Sequence, residues 1–287
     1  MSAAPQHDSA SAVERVLGSS AEIAVMPQVV YKIVEMVRSD SSSASDLERE
    51  IVVDPGFSAK VLAQANSAFF ALPKRVTSIR EAVMFLGFKQ VRMIAMQVGV
   101  FDFFVGKTDK DSLRRRAWWR HALDTAAAAR HLAVSIRRAN ADEAYTCGLL
   151  HSLGKTLLCR FDSEAYCKVD FLVQNGAPVW QGEQVIYGCH HVQVVQEAGR
   201  RWGFPAEIIE GVDYLTPTTG DDFATLRAVV AVGEAIASLA TSGSNDPTHD
   251  AEKLPEWGLN QLEIDKDVVP SIMASTLAEL AATAAKH

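Results

Sequence analysis

Three histidines in the second half of the chain are the residues best suited to carry chemistry. His121, His151 and His191 are separated by 30 and 40 residues, and each falls in a segment with helical periodicity. Facing helices of a bundle can direct such side chains at one metal ion. Glu234 would add a carboxylate, and Ser152 adds a hydroxyl beside His151. On spacing alone a hydrogen-bonded or surface histidine is the more common outcome, so both interpretations stay open.

The segments that must position these residues are predicted to be helical throughout. Apolar residues recur at helical spacing, and the alternation typical of strands is nearly absent. Capping boxes at Ser45–Glu48 and Ser78–Glu81 predict two helix starts. Other helices are predicted to start near Pro27, at Ser112 and after Asn140, and two more are predicted over 224–239 and 270–285. The predicted fold class is therefore all-α.

Composition divides the chain into four segments. Residues 1–20, rich in Ala and Ser, are expected to be a flexible tail, and 21–240 form the main helical domain. The Gly-, Ser- and Pro-containing stretch 241–253 is the predicted linker, and 254–287 carry an amphipathic helix. The apolar face of that helix is expected to dock on its own bundle, with another chain as the alternative.

The overall charge argues against two classes of partner. The chain has 28 Lys and Arg residues against 35 Asp and Glu, a net charge of −7, which disfavours nucleic acid and anionic membranes. No membrane-spanning stretch or secretory signal is evident. The four cysteines lack CxxC spacing and are expected to be reduced thiols of a cytoplasmic protein.

Two basic features have simpler interpretations than ligand binding. The run 114–120 (RRRAWWR) distributes its side chains around a helix, so we expect Trp118 to pack inward and the arginines to be solvated or paired with Asp109 and Asp111. Lys155 is expected to be a solvated lysine at a helix end.

The segment around His151 resembles a known signature. Residues 148–155 (GLLHSLGK) are similar to the motif of HD-superfamily phosphohydrolases, with Ser152 where that superfamily has a metal-bridging Asp. The wider pattern resembles the HDOD family, the HD-related output domain. The matching residues are Asp54 and Pro55, Asn66 and Ser67 of the NSAFF block, Gly87, and the segment containing Glu183, Gly188, His191, Trp202 and Pro205.

The HDOD resemblance implies a fold and a role. It implies two helical lobes, an N-terminal lobe over 21–110 and a degenerate HD-like bundle over 111–240. It also implies a regulatory module of bacterial signal transduction, linked to cyclic-dinucleotide or two-component signalling, that binds other signalling proteins and is not an enzyme.

The residues themselves disfavour the HD reaction. An HD phosphohydrolase holds one or two metal ions that activate water, and its bridging ligand must be anionic. Ser152 offers only a neutral hydroxyl. By comparison with HD enzymes a later His pair would fall at Leu215 and Thr216, and the last Asp at Glu234. We therefore expect no metal and no cofactor.

Two alternatives remain open from the sequence. A single weak metal site using His121, His151, His191 and Glu234 would support a metal-dependent phosphohydrolase with a reduced ligand set. Otherwise the vestigial cavity could hold a small ligand that shifts the arrangement of the lobes. The sequence does not set the oligomeric state.

Overall fold

The computed structural model describes residues 9–19, 28–38, 42–106, 109–242, 250, 252–265 and 267–284. These residues form helices and turns, with no strand among them, which confirms the all-α prediction.

The helices follow one another with short connections. In chain order they are α1 (Ser9–Leu17), α2 (Gln28–Arg38), α3 (Ala44–Val52), α4 (Pro55–Ala65), α5 (Ile79–Leu86), α6 (Phe88–Val105), α7 (Ser112–Ile136), α8 (Ala141–Leu150), α9 (Leu153–Phe161), α10 (Ser163–Gln174), α11 (Val179–Tyr187), α12 (His191–Arg201), α13 (Ala206–Gly211), α14 (Ala224–Thr241), α15 (Glu256–Gln261) and α16 (Val269–Ala284). A short 3-10 helix, Ala68–Phe70, follows α4.

Polar side chains at the predicted positions start several of these helices. Asn140 accepts two hydrogen bonds at the start of α8, as predicted, and Ser78 accepts one from the Glu81 amide at the start of α5. The second half of the capping box predicted at Ser78 does not form, because the Glu81 carboxylate accepts from Thr77. The capping box predicted at Ser45 is wrong, because it forms between Ser43 and Asp46 at the start of α3. Both serines have an acidic residue three positions later, so the sequence pattern fits either one.

The helices group into two lobes that meet along α6. Helices α2–α6 pack on one another, and α7–α14 form the second bundle around the crossing of α7 with α8 and α14. Phe101 and Phe104 of α6 meet Trp119 of α7 edge-on, at 5.5 and 5.8 Å between ring centroids. Buried Arg92 of α6 donates to Asp142 of α8 at 2.6 Å. Aromatic stacking and a partly buried ion pair therefore join the lobes.

The expectation of a flexible N-terminal tail is wrong for residues 9–17. Helix α1 buries Ala12, Val13, Val16 and Leu17 and packs on α12 and α9 of the second bundle. Arg15 donates to the carbonyl of Tyr187 at 2.9 Å. Burial of this apolar face accounts for the ordering of a short Ala- and Ser-containing segment. The rest of the predicted tail lies outside the described residues, apart from 18 and 19.

The C-terminal helix docks on its own chain, as expected. Helix α16 packs on α7 and α14 and buries Met273, Thr276 and Leu280. The Ser275 hydroxyl lies 3.1 Å from Nε2 of His131 on α7. Most of the predicted linker, residues 243–249, lies outside the described part of the chain, whereas Thr241 belongs to α14.

Helix α14 is the core helix of the second bundle. By length and mean hydropathy it is the one described helix that could cross a membrane, and 61% of it is buried inside the fold. Its neighbours are α7 on one side and α15 on the other. Such burial is typical of the central helix of an α-helical bundle.

Two glycines of the HD-like motif allow close helix contacts. A Cβ on Gly154 would lie 1.9 Å from the carbonyl oxygen of His191, so α9 reaches the start of α12 only because this residue has no side chain. A Cβ on Gly148 would lie 2.8 Å from Cα of Ala126, where α8 crosses α7. These approaches bring the ends of α8 and α12 together around the predicted site.

Candidate functional site

Six buried or partly buried polar residues of the second bundle form a cluster with two parts, which we call the HD-like cluster. The first part contains His121 on α7, His151 at the end of α8 and Glu234 on α14. The second contains Glu183 on α11, His191 at the start of α12 and Tyr214 in the loop after α13. Tyr214 contacts His151 edge-on, at 5.1 Å between ring centroids, and so joins the two parts.

His151 is fully buried and is held through one ring nitrogen. Its Nδ1 lies 2.6 Å from the carbonyl oxygen of Gly148, which can only accept, so Nδ1 carries the proton. Its Nε2 has no hydrogen-bond partner among the described residues. Burial, and then the nearby His121 and Lys155, lower the pKa of His151 well below its usual value. His151 is therefore neutral near pH 7, with an unused lone pair on Nε2.

Glu234 is ionised beside these imidazoles. One of its carboxylate oxygens lies 3.5 Å from Nε2 of His121 and accepts a hydrogen bond from Ser238 at 2.9 Å. Burial opposes ionisation of Glu234, but His121, His151 and Lys155 outweigh it and lower its pKa to about 2. The carboxylate therefore stabilises positive charge at this end of the cluster.

His191 is fully buried and both of its ring nitrogens are engaged. Nδ1 donates to the Glu183 carboxylate at 2.5 Å, and Nε2 lies 2.9 Å from the Tyr214 hydroxyl. Glu183 also accepts from the His191 backbone amide at 2.9 Å and from the Tyr166 hydroxyl at 2.8 Å. Burial opposes ionisation of Glu183, but His191 and Lys155 lower its pKa. Tyr166 and Tyr214 keep their protons, because burial raises the pKa of both.

This arrangement does not fit a metal centre of the HD type. A metal-ligating histidine usually donates one nitrogen to a carboxylate and gives the other to the ion. Nδ1 of His191 donates to the Glu183 carboxylate in this way. Its Nε2, where the ion would bind, instead contacts the Tyr214 hydroxyl. Ser152 is fully buried and its Oγ has no partner among the described residues. Within that part of the chain, no group of three or more His, Cys, Asp or Glu side chains could hold a metal ion.

Lys155 does not lie where the sequence suggested. It is 8% exposed on α9, and it lowers the pKa of both Glu183 and Glu234. The expectation of a solvated helix-end lysine is therefore wrong. Two buried carboxylates provide the negative charge that stabilises a buried ammonium group.

The sequence model of the HDOD domain matches residues 23–216 of this chain. The chain belongs to the HDOD family. A curated relative, an uncharacterized protein of Treponema pallidum (strain Nichols), is 24% identical over 198 residues, covering 66% of this chain. The match spans 37% of that relative's length.

Solved structures with the same fold include three similar proteins. An HDOD domain protein of unknown function from Geobacter sulfurreducens has a TM-score of 0.80 and 21% identity, covering 96% of each chain. A candidate phosphohydrolase from Shewanella amazonensis SB2B has a TM-score of 0.71 and 21% identity, covering 97% of this chain and 98% of its own. A candidate signal transduction protein from Marinobacter aquaeolei VT8 has a TM-score of 0.76 and 20% identity, covering 98% of this chain and 64% of its own.

The HDOD motif residues of the first lobe make hydrogen bonds that shape the backbone. Asp54 caps α4 through the amides of Gly56 and Phe57, and Pro55 is the first residue of that helix. The Asn66 side chain donates to the carbonyls of Leu62 and Val76 and accepts from the Val76 amide. Each of these contacts is local to the N-terminal lobe.

The remaining HDOD motif residues lie at chain turns or in the cluster. Gly87 and Gly188 have φ angles of 83° and 80° at turns between helices, and Ser67 precedes the 3-10 helix. Trp202 caps α12 and Pro205 precedes α13. Of the HDOD motif residues, Glu183 and His191 lie in the HD-like cluster.

Two cluster residues were not identified from the sequence. Tyr214 directly precedes Leu215 and Thr216, the positions that correspond to a histidine pair in HD enzymes, and its side chain enters the cluster from that loop. Tyr166 of α10 reaches Glu183 from the opposite side. The feature of the sequence that indicates Tyr214 is its position directly before Leu215 and Thr216.

Proposed function

We propose that this HDOD chain is a non-catalytic regulatory module of bacterial signal transduction that acts in the cytoplasm by binding other signalling proteins. The observation that carries the proposal is the Tyr214 hydroxyl at Nε2 of His191. It uses the coordination position that metal-dependent hydrolysis would need. The cluster then serves as a buried, hydrogen-bonded core of the second bundle.

The other residues of the cluster support the same function. Ser152 has no charge with which to bridge two ions, and Leu215 and Thr216 offer no ligands of the HD type. The four cysteines are free thiols, as in proteins of a reducing compartment. Family membership and the Marinobacter neighbour, named as a candidate signal transduction protein, support a role in signal transduction, and we propose cyclic-dinucleotide or two-component signalling as its setting.

The proposal predicts no phosphoester turnover. The full chain is assayed with bis(p-nitrophenyl) phosphate in the presence of Mn²⁺, Fe²⁺, Ni²⁺ or Mg²⁺. We expect rates equal to those of the protein-free blank. Metal-dependent hydrolysis that His121→Gln abolishes would overturn the proposal, because His121 lies in the HD-like cluster beside Glu234 and is one of the candidate metal ligands there.

A genetic experiment tests the regulatory part. A strain that lacks the chain is complemented with the wild type or with Ser152→Ala, and transcript profiles are compared. Since the Ser152 hydroxyl has no partner among the described residues, its loss is expected to leave the fold intact. We expect both forms to restore the same profile. Failure of Ser152→Ala at wild-type protein level would show that the HD position itself has a chemical function.

A metal-dependent phosphohydrolase is the second candidate, and a specific observation favours it. Nε2 of His151 has no partner among the described residues, and His121 lies near it, at 5.4 Å between ring centroids. With Glu234 these residues are what remains of an HD ligand set. The Shewanella neighbour is named as a candidate phosphohydrolase. The turnover assay above separates the two candidates.

A further inference from the structure

A cleft of about 300 Å³ opens between the two lobes. Its walls come from α4 and α6 of the first lobe, from α7 and α8 of the second, and from the C-terminal helix α16. None of the residues of the HD-like cluster lines it. Part of the lining is apolar, provided by Phe70, Met93, Leu123, Ala127 and Val134.

Three glutamine side chains line the cleft beside this apolar surface. Gln97 donates to the Tyr145 hydroxyl at 2.5 Å. The side-chain amides of Gln64 and Gln90 make no hydrogen bond within the described part of the chain. An amide offers both a donor and an acceptor. Uncommitted amides next to an apolar wall are typical of a site that orients a polar, planar ligand.

The cleft also contains an incompletely paired cation. The Arg130 side chain is 41% exposed, but its Nε is buried without a hydrogen-bond partner and lies 4.0 Å from a carboxylate oxygen of Asp142. That carboxylate is closer to Arg92, at 2.6 Å, and to Lys89, at 3.6 Å. One carboxylate therefore faces three cations, and an anionic group would complete the pairing of Arg130.

The other charged residues that line the cleft differ from Arg130 in their pairing. Arg120 pairs with Asp124 one turn away on α7, at 3.2 Å, so neither charge is left uncompensated. Glu279 of α16 also lines the cleft. The cationic group left to pair with a ligand is therefore Arg130 of α7, which shares the Asp142 carboxylate with Arg92 and Lys89 of α6.

We propose that the interlobe cleft binds a small anionic ligand with a planar, hydrogen-bonding ring, of the chemical class of purine mononucleotides. The glutamine amides contact the edges of the ring, as amides contact adenine in other complexes, and Arg130 pairs with the phosphate. The cleft volume is at the lower end of the range for ligand sites, which favours a mononucleotide over a dinucleotide. The inference goes beyond the proposed function and does not depend on it.

The cleft is lined in part by helix α16, which lies outside the HDOD match. It lies outside residues 23–216, which match the HDOD domain, yet it contributes Glu279 to the cleft and Ser275 to a contact with His131, another lining residue. Ligand binding at this site therefore involves both lobes and the C-terminal extension. A ligand that contacts all three favours the arrangement in which they are packed together.

Isothermal titration calorimetry of the full chain with AMP and with GMP tests the proposal. We expect dissociation constants of about 10–100 μM for at least one of them. Adenosine, guanosine and inorganic phosphate are titrated separately, and each is expected to bind about tenfold more weakly or less. Absence of binding by both nucleotides at about 1 mM, or binding of phosphate as tight as that of the nucleotide, would overturn the proposal.

Variants locate the bound nucleotide. Arg130→Gln removes the phosphate partner and Ala127→Phe fills the cleft, so each is expected to weaken binding about tenfold or more. Arg49→Gln, at an exposed arginine of α3, is the matched control and is expected to leave binding unchanged. Binding that survives Ala127→Phe, or that is lost in His121→Gln, would contradict the cleft as the site. Neither result would affect the turnover assay, so the two proposals fail separately.

Discussion

The HD-like cluster and the interlobe cleft differ in how their polar groups are paired, although Nε2 of His151 and the Ser152 hydroxyl in the cluster also have no partner among the described residues. In the cluster, Glu183 and His191 are buried, and His191 is bonded to Glu183 on one side and to the partly buried Tyr214 on the other. In the cleft, the side-chain amides of Gln64 and Gln90 have no hydrogen bond among the described residues, and Nε of Arg130 has no hydrogen-bond partner there. Internally paired buried groups stabilise a fold, whereas uncommitted ones are available to a ligand. This difference underlies both proposals, which assign a structural role to the region that resembles an active site and ligand binding to the region without a motif.

The largest loss of stability is expected when Gly154, where α9 approaches the start of α12 beside the HD-like cluster, is replaced. Gly154→Ala places a Cβ 1.9 Å from the His191 carbonyl oxygen, so α9 and α12 must separate. We expect a loss of about 3 kcal/mol or more in the free energy of unfolding. Gly199→Ala on α12 is the control, since its Cβ would meet only ordinary contacts from 3.4 Å, and it should unfold at the wild-type urea concentration or above.

A smaller loss in the free energy of unfolding is expected when the buried carboxylate of Glu183 is neutralised. Glu183→Gln keeps the shape of the side chain but presents an NH₂ group where Tyr166 and His191 donate. The expected loss is about 2–4 kcal/mol in urea unfolding. Glu197→Gln, in a surface ion pair of the same region, should change it by less than about 0.5 kcal/mol. Equal effects of the two variants would show that the cluster does not support the fold.

The cluster should also make stability depend on pH. The pKa of His151 in the folded chain is below its usual value, so the unfolded chain takes up the proton first as the pH falls. Its contribution is therefore complete above about pH 6.5 and declines below it, by at most about 1.4 kcal/mol per pH unit. Denaturant midpoints measured from pH 7 to pH 5 should fall, and less steeply in His151→Gln. An unchanged slope in that variant would argue against a neutral, buried His151.

Glu234 also makes the free energy of unfolding decrease as the pH falls, but over a lower pH range than His151. Its pKa is about 2 in the folded chain, below the ordinary carboxyl value, so its contribution is present above about pH 4.5 and is lost as the pH falls toward 2. In Glu234→Gln this second decline should be weaker. A profile identical to the wild type would contradict the pairing of Glu234 with His121.

The smallest effects on stability are expected in the cleft. Gln64→Ala and Gln90→Ala remove side chains that make no hydrogen bond in the described chain. Each should change the free energy of unfolding by less than about 0.5 kcal/mol. A loss as large as that of Glu183→Gln would mean that these amides serve the fold and would remove the contrast between the two regions.

Local patterns in the sequence predict several of the helices and the all-α fold class. Ser78 and Asn140 cap helices where their spacing indicated, because a cap needs only a side-chain oxygen and the next few amides. Helix α1 was missed because its order comes from packing on α12 and α9, which are distant in sequence. The serine run before α3 left two capping boxes possible, and local pattern could not choose between them.

The site was less accessible to prediction than the fold. The motif residues indicated a common region for His121, His151 and Glu234, and the structure places them together. The sequence could not show that Tyr214 meets Nε2 of His191, since that contact depends on the path of the loop after α13. Lys155 was misjudged for a similar reason, because its two carboxylate neighbours come from α11 and α14.

The metal content of the chain, purified without chelator, tests the central claim most directly. If Tyr214 occupies the coordination position of His191, elemental mass spectrometry should find less than about 0.1 transition-metal ions per chain. Stoichiometric zinc, iron or manganese that is lost in both His151→Gln and His191→Gln would contradict the account. It would show that the HD-like cluster is a working metal centre.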